Sequence, residues 1–185
     1  MSAHVLVPVK RLDGAKSRLA AALEPAERAA LVHEMLELVL TAVDEAGVGP
    51  VTVVSSEELS LNGVQRFDDR GLAWNQALSD ATRELVTEDV VAVVAADLPL
   101  LSAADVRALV AAAPLHGVAI ARAKDGGTNA LAMRPPGELE THFGEPASAC
   151  VHEDAARAAG LEAIVLDLEG LAFDIDTVED LAAWR

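Results

Sequence analysis

The chain has 185 residues, and its composition excludes several classes of protein. Hydrophobic residues make up 52% and charged residues 24%, so there is enough apolar surface for a core and we do not expect disorder. The formal net charge of -16, with 3% aromatic residues, argues against nucleic-acid binding, which needs basic side chains and stacking rings. We expect a single domain over residues 1–185 and no nucleic-acid partner.

Cysteine usage and the lengths of the apolar segments indicate the compartment. Cys150 is the only cysteine, so no internal disulfide can form. The N-terminal residues do not have the pattern of a signal peptide. The longest apolar stretches, such as Val90–Ala96, are far shorter than the roughly 20 residues that span a bilayer. We therefore expect a cytoplasmic protein without a membrane partner.

Short β-branched runs alternate with helical patterns in the first half of the chain, as in βαβ units. Three strands are predicted before residue 70, at His4–Val9, Val51–Ser55 and Val64–Phe67. A helix is predicted from Pro25 to about Ala46, because apolar residues recur there at helical spacing and proline is tolerated in a first turn. Gly47 suits the end of that helix, and Leu72–Val86 is predicted to be the next one.

The second half continues the alternation. Val90–Ala96 is nearly all apolar, which is typical of a central strand buried on both faces, and Ser102 with Asp105 predicts a capped helix start. Further predicted elements are strands at Gly117–Arg122, Asn129–Arg134 and Ala163–Leu168, a helix from Ser148 to about Ala159, an extended Leu171–Asp176, and a final helix capped by Thr177 and Asp180. The order predicts an α/β fold with a mostly parallel sheet covered on both faces.

The loop after the first strand concentrates positive charge. Lys10, Arg11, Lys16 and Arg18 are four of the fourteen basic residues of the chain. Open α/β sheets bind ligands at the carboxyl ends of their strands, so this loop favours a phosphate-rich ligand; the alternative is a solvated surface loop. Because Ala15 precedes Lys16, and no G-x-G-x-x-G follows the strand, neither a Walker A loop nor a typical dinucleotide site is supported.

Three aspartates form a second candidate group. Asp97 ends the buried strand, and Asp174 and Asp176 lie two residues apart on a predicted extended segment, so they point to the same face. Mg²⁺ prefers oxygen ligands of this kind. The alternative is that Asp97 begins a turn and the later aspartates cap the last helix. Beside the basic loop, the three carboxylates are interpreted as a Mg²⁺ site.

The other polar residues give weaker signals. The five histidines lack zinc-ligand spacing and are interpreted as surface or helix residues: His4, His33, His116, His142 and His152. Cys150 is interpreted as a helix residue, and Ser148 lacks the G-x-S-x-G elbow of hydrolases.

Several motifs occur in the order seen in one family. They are Pro8-Val9-Lys10, Ala15-Lys16-Ser17-Arg18-Leu19, Asp97-Leu98-Pro99-Leu100-Leu101, Asp125-Gly126-Gly127-Thr128-Asn129, Phe143-Gly144 with Ser148 and His152, and Asp174-Ile175-Asp176-Thr177 with Glu179-Asp180-Leu181. In them the chain resembles, nearly end to end, the 2-phospho-L-lactate guanylyltransferases of coenzyme F-420 biosynthesis, including bacterial members that use phosphoenolpyruvate.

The resemblance implies a fold and an activity. The fold is a three-layer, Rossmann-like αβα sandwich with a mostly parallel mixed sheet, as in sugar-nucleotide and molybdenum-cofactor nucleotidyltransferases. The activity is Mg²⁺-dependent transfer from GTP to a small phosphorylated acid with release of pyrophosphate. An Ala-rich, acidic chain favours a bacterial source and hence phosphoenolpyruvate over 2-phospho-L-lactate or phosphoglycerate. Open alternatives are a molybdenum-cofactor or sugar-phosphate nucleotidyltransferase, a non-catalytic GTP-binding regulatory domain and, for the oligomeric state, a homodimer.

The resemblance also implies roles for individual residues. Catalysis would involve Lys16, Arg18 and Asp97, and metal would be held by Asp97, Asp174 and Asp176. The nucleotide would contact Pro8, Lys10, Lys16, Arg18, Gly71 and Asn75, and the acceptor acid would contact Thr128, Gly144 and Ser148. Two departures from the family pattern stand out. Three residues separate Gly144 from Ser148 where the family has two, and the family's Gly-Leu-Asn segment is here Gly71-Leu72-Ala73-Trp74-Asn75.

Overall fold

The structure, a computed structural model, describes residues 2–10, 16–57, 59, 63–84 and 88–185. Within these ranges seven strands form one sheet: β1 Ala3–Pro8, β2 Val51–Val54, β3 Gln65–Phe67, β4 Val90–Val94, β5 Gly117–Arg122, β6 Thr128–Arg134 and β7 Glu162–Leu166. Their order across the sheet is β3-β2-β1-β4-β6-β5-β7. β6 runs antiparallel to both of its neighbours, whereas the other pairs are parallel, so the sheet is mixed as expected.

Helices cover both faces of the sheet. They are α1 Pro25–Ala46, α2 Trp74–Glu84, α3 Ala103–Ala112, α4 Ser148–Ala158, α5 Glu169–Ala172 and α6 Val178–Trp184, together with a 3-10 turn at Ser17–Leu19. α1, α3 and α5 contribute to the hydrophobic cluster on one face, and α2 and α4 to the cluster on the other. The predicted three-layer αβα sandwich is confirmed. No helix in the described ranges is long and apolar enough to cross a membrane.

β4 lies at the centre of this arrangement and is buried throughout. Val91 and Val93 pack into one cluster, and Val90, Ala92 and Val94 pack into the other. Successive side chains of a strand point to opposite faces, so a strand between two helical layers must be apolar at every position. The continuous apolar run in the sequence has this cause.

The local signals at the helix ends are confirmed. The hydroxyl oxygen of Ser102 accepts a hydrogen bond from the Asp105 amide at the start of α3, and Thr177 and Asp180 make the same contact at the start of α6. α1 begins at Pro25, and the Gly47 residue that ends it has φ of 62°, a left-handed conformation that glycine adopts without steric cost.

The predicted extended segment Leu171–Asp176 is wrong in its first two residues. Leu171 and Ala172 belong to the short helix α5, where both amides donate to the Leu168 carbonyl. Leu171 is fully buried in the cluster beneath α3, so its conformation is set by packing and not by a local pattern. Other boundaries differ by up to two residues, and the last two residues of the predicted helix Leu72–Val86 lie outside the described ranges.

Candidate active site

A cavity of about 660 Å³ opens at the edge of the sheet where β1 and β4 end. Pro8 ends β1, and the residues after β4, Ala95 to Asp97, line the cavity floor. Because β6 is antiparallel, its first residue, Thr128, lies at this same edge, and the start of α4 completes that wall. This edge, outside the carboxyl ends of the parallel strands, is where open α/β sheets bind their ligands.

The three predicted aspartates meet in this cavity. Asp97, Asp174 and Asp176 each offer one carboxylate oxygen, and these oxygens lie within 4.8 Å of one another. The Ile175 amide donates to the Asp97 carbonyl at 3.3 Å, which ties the two chain segments together. Ile175 itself is fully buried, so the aspartates on either side of it face the cavity, as the two-residue spacing predicts.

The protein environment changes the acidity of Asp174. Burial, followed by the charge of Asp97, raises the pKa of Asp174 to about 6, although a hydrogen bond from Asn129 opposes the rise. The Asn129 amide nitrogen lies 3.2 Å from Asp174 Oδ1 and 3.0 Å from the Leu171 carbonyl oxygen, so it orients the carboxylate. No pattern in the sequence indicates this role for Asn129, although the residue ends the Asp125–Asn129 motif.

Two predicted basic residues lie against the aspartates. Lys16 Nζ is 2.5 Å from Asp97 Oδ2 and 2.9 Å from Asp176 Oδ1, and its side chain is only 10% exposed. Burial opposes the charged form of Lys16, but the charges and hydrogen bonds of Asp97 and Asp176 outweigh burial and raise its pKa. Arg18 Nη1 is 3.3 Å from Asp176 Oδ2 on a side chain that is 74% exposed. In this structure, then, Lys16 bridges carboxylates, where the resemblance implies contact with phosphates.

Lys10 also lines the cavity. Its ammonium nitrogen is 4.9 Å from the ring centroid of Trp74, a cation–π distance, and both residues line the cavity. Arg11, the fourth residue of the predicted basic cluster, lies outside the described residues. The sequence does not predict a role for Trp74, since one tryptophan at the start of a helix gives no functional pattern.

The three predicted acceptor residues, Thr128, Gly144 and Ser148, all line the cavity. The additional residue between Gly144 and Ser148 is accommodated in a loop that contains two left-handed residues, Gly144 with φ of 76° and Ala147 with φ of 52°. The additional residue between Gly144 and Ser148 therefore leaves both of these predicted contact residues in the cavity wall.

His152 lies directly behind that wall. His152 was interpreted as a surface or helix residue, and it does belong to a helix, α4. Its side chain is fully buried, however, and both ring nitrogens have polar contacts inside the protein. Its Nδ1 is 2.9 Å from Thr128 Oγ1, and its Nε2 accepts from the His142 amide at 2.8 Å. Burial, followed by the neighbouring His142, lowers the pKa of His152 to about 4.

The two predicted nucleotide contacts on the remaining segment do not line the cavity. Gly71 is exposed in a turn before α2, and Asn75 uses its amide group elsewhere. Asn75 Oδ1 accepts from the Phe143 amide at 2.8 Å, and Asn75 Nδ2 donates to the Phe143 carbonyl at 3.1 Å. The contact that this structure shows for Asn75 is therefore with the loop that carries Gly144.

Comparisons with known proteins show the family of this chain. A family model described as "Guanylyl transferase CofC like" matches residues 3–184. The phosphoenolpyruvate guanylyltransferase of Rubrobacter xylanophilus is 43% identical over 98% of this chain and 93% of its own length. The 2-phospho-L-lactate guanylyltransferase of Methanothermobacter thermautotrophicus is 36% identical, over 98% of this chain and 83% of that relative.

The fold has counterparts among solved structures. A nucleotidyl transferase from Methanothermobacter superposes with a TM-score of 0.70 over 100% of this chain and 96% of that chain, at 19% sequence identity. That likeness shows the nucleotidyltransferase fold, and the full-length sequence match adds the family. The chain belongs to the CofC-like guanylyl transferase family.

Proposed function

We propose that residues 1–185 form one nucleotidyltransferase domain that joins GTP to a small phosphorylated carboxylic acid and releases pyrophosphate, in coenzyme F-420 biosynthesis. Phosphoenolpyruvate is the favoured acceptor, since relatives with that name reach 43% identity, and 2-phospho-L-lactate is the alternative. The observation that carries the proposal is the convergence of Asp97, Asp174 and Asp176 with Lys16 and Arg18 at one cavity.

The three carboxylates fit a divalent metal ion, and we assign Mg²⁺ to them. Their oxygens lie within 4.8 Å of one another, and the pKa of Asp174 is raised first by burial and then by the charge of Asp97. Oxygen donors that leave room for substrate phosphates match the preference of Mg²⁺. When bound, Mg²⁺ supplies positive charge to the transferring phosphate and a template for both reactants.

The basic residues provide the charge that GTP needs. Lys10, Lys16 and Arg18 line the cavity, and we assign them to the triphosphate. Lys16 and Arg18 lie beside the carboxylates, so they can offset negative charge that develops on the departing pyrophosphate. Pro8 lines the same wall, whereas the assignment of Gly71 and Asn75 to the nucleotide is supported by the resemblance alone.

The reaction needs no general base from the protein. The phosphate of the acceptor is already ionised at neutral pH, and one of its oxygens attacks the α-phosphorus of GTP. A new P–O bond forms while the bond from the α-phosphorus to the β-phosphate bridging oxygen breaks, and that oxygen leaves with pyrophosphate. Thr128, Gly144 and Ser148, which also line the cavity, would orient the acceptor. Catalysis is then alignment and charge neutralisation, which are the main contributions in phosphoryl transfer.

A pyrophosphate-release assay tests the proposal. GTP and Mg²⁺ are combined in parallel with phosphoenolpyruvate, 2-phospho-L-lactate and phosphoglycerate, and a reaction without acid measures background hydrolysis. We expect release with one of these acids, fastest with phosphoenolpyruvate. Preference for a sugar phosphate would support a different nucleotidyltransferase, and GTP binding without release with any acceptor would support a regulatory domain.

A further inference from the structure

A buried polar group lies behind the acceptor wall of the cavity. Thr128 and Ser148 line the cavity, while His152 lies behind them with no exposed surface. His152 Nδ1 and Thr128 Oγ1 are 2.9 Å apart, and Ser148 Oγ is 3.2 Å from the same Thr128 oxygen. Thr128 therefore has two polar neighbours inside the protein and an open side towards the cavity.

The other nitrogen of the ring determines which tautomer His152 adopts. The His142 backbone amide donates to Nε2 at 2.8 Å, and an amide can only donate, so Nε2 must carry a lone pair and no proton. A neutral imidazole without a proton on Nε2 carries it on Nδ1. Complete burial favours the neutral ring. The Nδ1–H group consequently faces Thr128 Oγ1, which accepts from it, and the Ser148 backbone also makes a hydrogen bond to the ring.

Ser148 constrains the same hydroxyl in the same direction. Its Oγ–H donates to Thr128 Oγ1, so two hydrogens already point at that oxygen. The proton of Thr128 must then point away from both donors, and Thr128 lines the cavity. The amides of the first turn of α4 cannot replace it, because they donate within the chain: Ser148 to Glu145, Ala149 to Gly126 and Cys150 to Ala147.

We propose that His152 is a positioning residue, which turns the hydroxyl proton of Thr128 into the cavity to bind an anionic oxygen of the acceptor acid. The inference rests on the proposed function, because it needs an anion at this wall. With the opposite tautomer, Thr128 would donate its proton to the ring and present only lone pairs to the acceptor. An anionic oxygen would be repelled by such a wall.

Two near-isosteric substitutions separate the two contacts of the ring. His152→Asn keeps an N–H donor close to the position of Nδ1, whereas His152→Gln keeps an acceptor close to the position of Nε2 and places no donor at the position of Nδ1. We expect His152→Gln to raise the KM for the acceptor about tenfold, as for loss of a hydrogen bond to a charged group, and to leave the KM for GTP unchanged. His152→Asn should keep the acceptor KM within about threefold of the original value.

A double substitution tests whether His152 acts through Thr128. Thr128→Val removes the hydroxyl, so adding His152→Gln to it should change the acceptor KM less than twofold. Additive effects of the two substitutions, or equal losses in the Asn and Gln variants of His152, would overturn the inference. Either result would mean that His152 only supports packing.

A measurement without catalysis keeps this inference separate from the proposed function. In protein labelled with ¹⁵N at histidine, the two ring nitrogens have distinct NMR shifts, and we expect His152 to carry its proton on Nδ1 between pH 6 and 8. A proton on Nε2, or a charged ring at neutral pH, would refute the inference even in an active enzyme. If no acid supports pyrophosphate release, the proposed function fails while the ring state still tests the hydroxyl orientation.

Discussion

His152 should make the stability of the folded protein depend on pH. Its pKa is about 4 in the folded chain and about 6.5 in the unfolded one, so between these values the unfolded state binds a proton that the folded state does not. The free energy of unfolding therefore rises with pH across this window, and the contribution of His152 to it disappears as the pH falls. The shift of about 2.5 units at 1.36 kcal/mol per unit corresponds to about 3 kcal/mol between pH 6.5 and pH 4.

Urea unfolding followed by circular dichroism at several pH values measures this contribution. Asp174 and His4 also titrate differently in the folded chain, and Asp174 acts with the opposite sign, so the informative quantity is the difference between the original chain and His152→Gln. That difference should change by about 3 kcal/mol from pH 6.5 to pH 4. His33→Gln, on the exposed face of α1, is the matched control and should leave the pH dependence intact. If the free energy of unfolding had the same pH dependence in the original chain and in His152→Gln, the assignment of a buried neutral ring would be refuted.

Three further predictions concern the metal and the acceptor loop. Asp97→Asn should lower turnover about 100-fold or more while the protein stays folded, and Asp44→Asn, at an exposed position of α1, should keep near-normal turnover in the same assay. Mg²⁺ at about 100 times its dissociation constant should add about 2.7 kcal/mol to the free energy of unfolding, and Asp174→Asn should remove most of this gain in a thermal melt. Ala147 has φ of 52°, a left-handed conformation that is strained for alanine. Ala147→Gly should therefore raise the free energy of unfolding in urea by up to about 1 kcal/mol. A lower free energy of unfolding would show that this strain is smaller than the entropy that glycine loses on folding.

Local patterns in the sequence were sufficient for the framework of the site. Asp174 and Asp176 alternate with buried Phe173 and Ile175, and this period of two predicts that both carboxylates face one way. The apolar run Val90–Ala96 similarly predicts a central strand with Asp97 directly after it. Each of these features depends on neighbours in the chain, so a single sequence contains it.

Contacts between distant segments could not be predicted in this way. Lys16 contacts carboxylates 81 and 160 residues later, and nothing in the basic loop indicates that its ammonium group bridges them. Asn75 resembles a nucleotide contact in sequence, but its amide pairs with Phe143, 68 residues later. His152 has no metal-ligand spacing, so its burial against Thr128 becomes visible only in the folded chain.

The reversed direction of β6 links the two halves of the cavity. Thr128 and Asn129 are consecutive, so their side chains leave opposite faces of the sheet: Thr128 towards Ser148 and His152, and Asn129 towards Asp174. The Ala95 amide also donates to the Asn129 carbonyl at 2.8 Å, which joins β6 to the segment before Asp97. Under the proposed roles, the hydrogen-bonded backbone of β6 and of the segment before Asp97 sets the distance between the attacking oxygen of the acceptor and the α-phosphorus of GTP. Loop substitutions should then weaken substrate affinity more than they disturb the alignment of the reacting atoms.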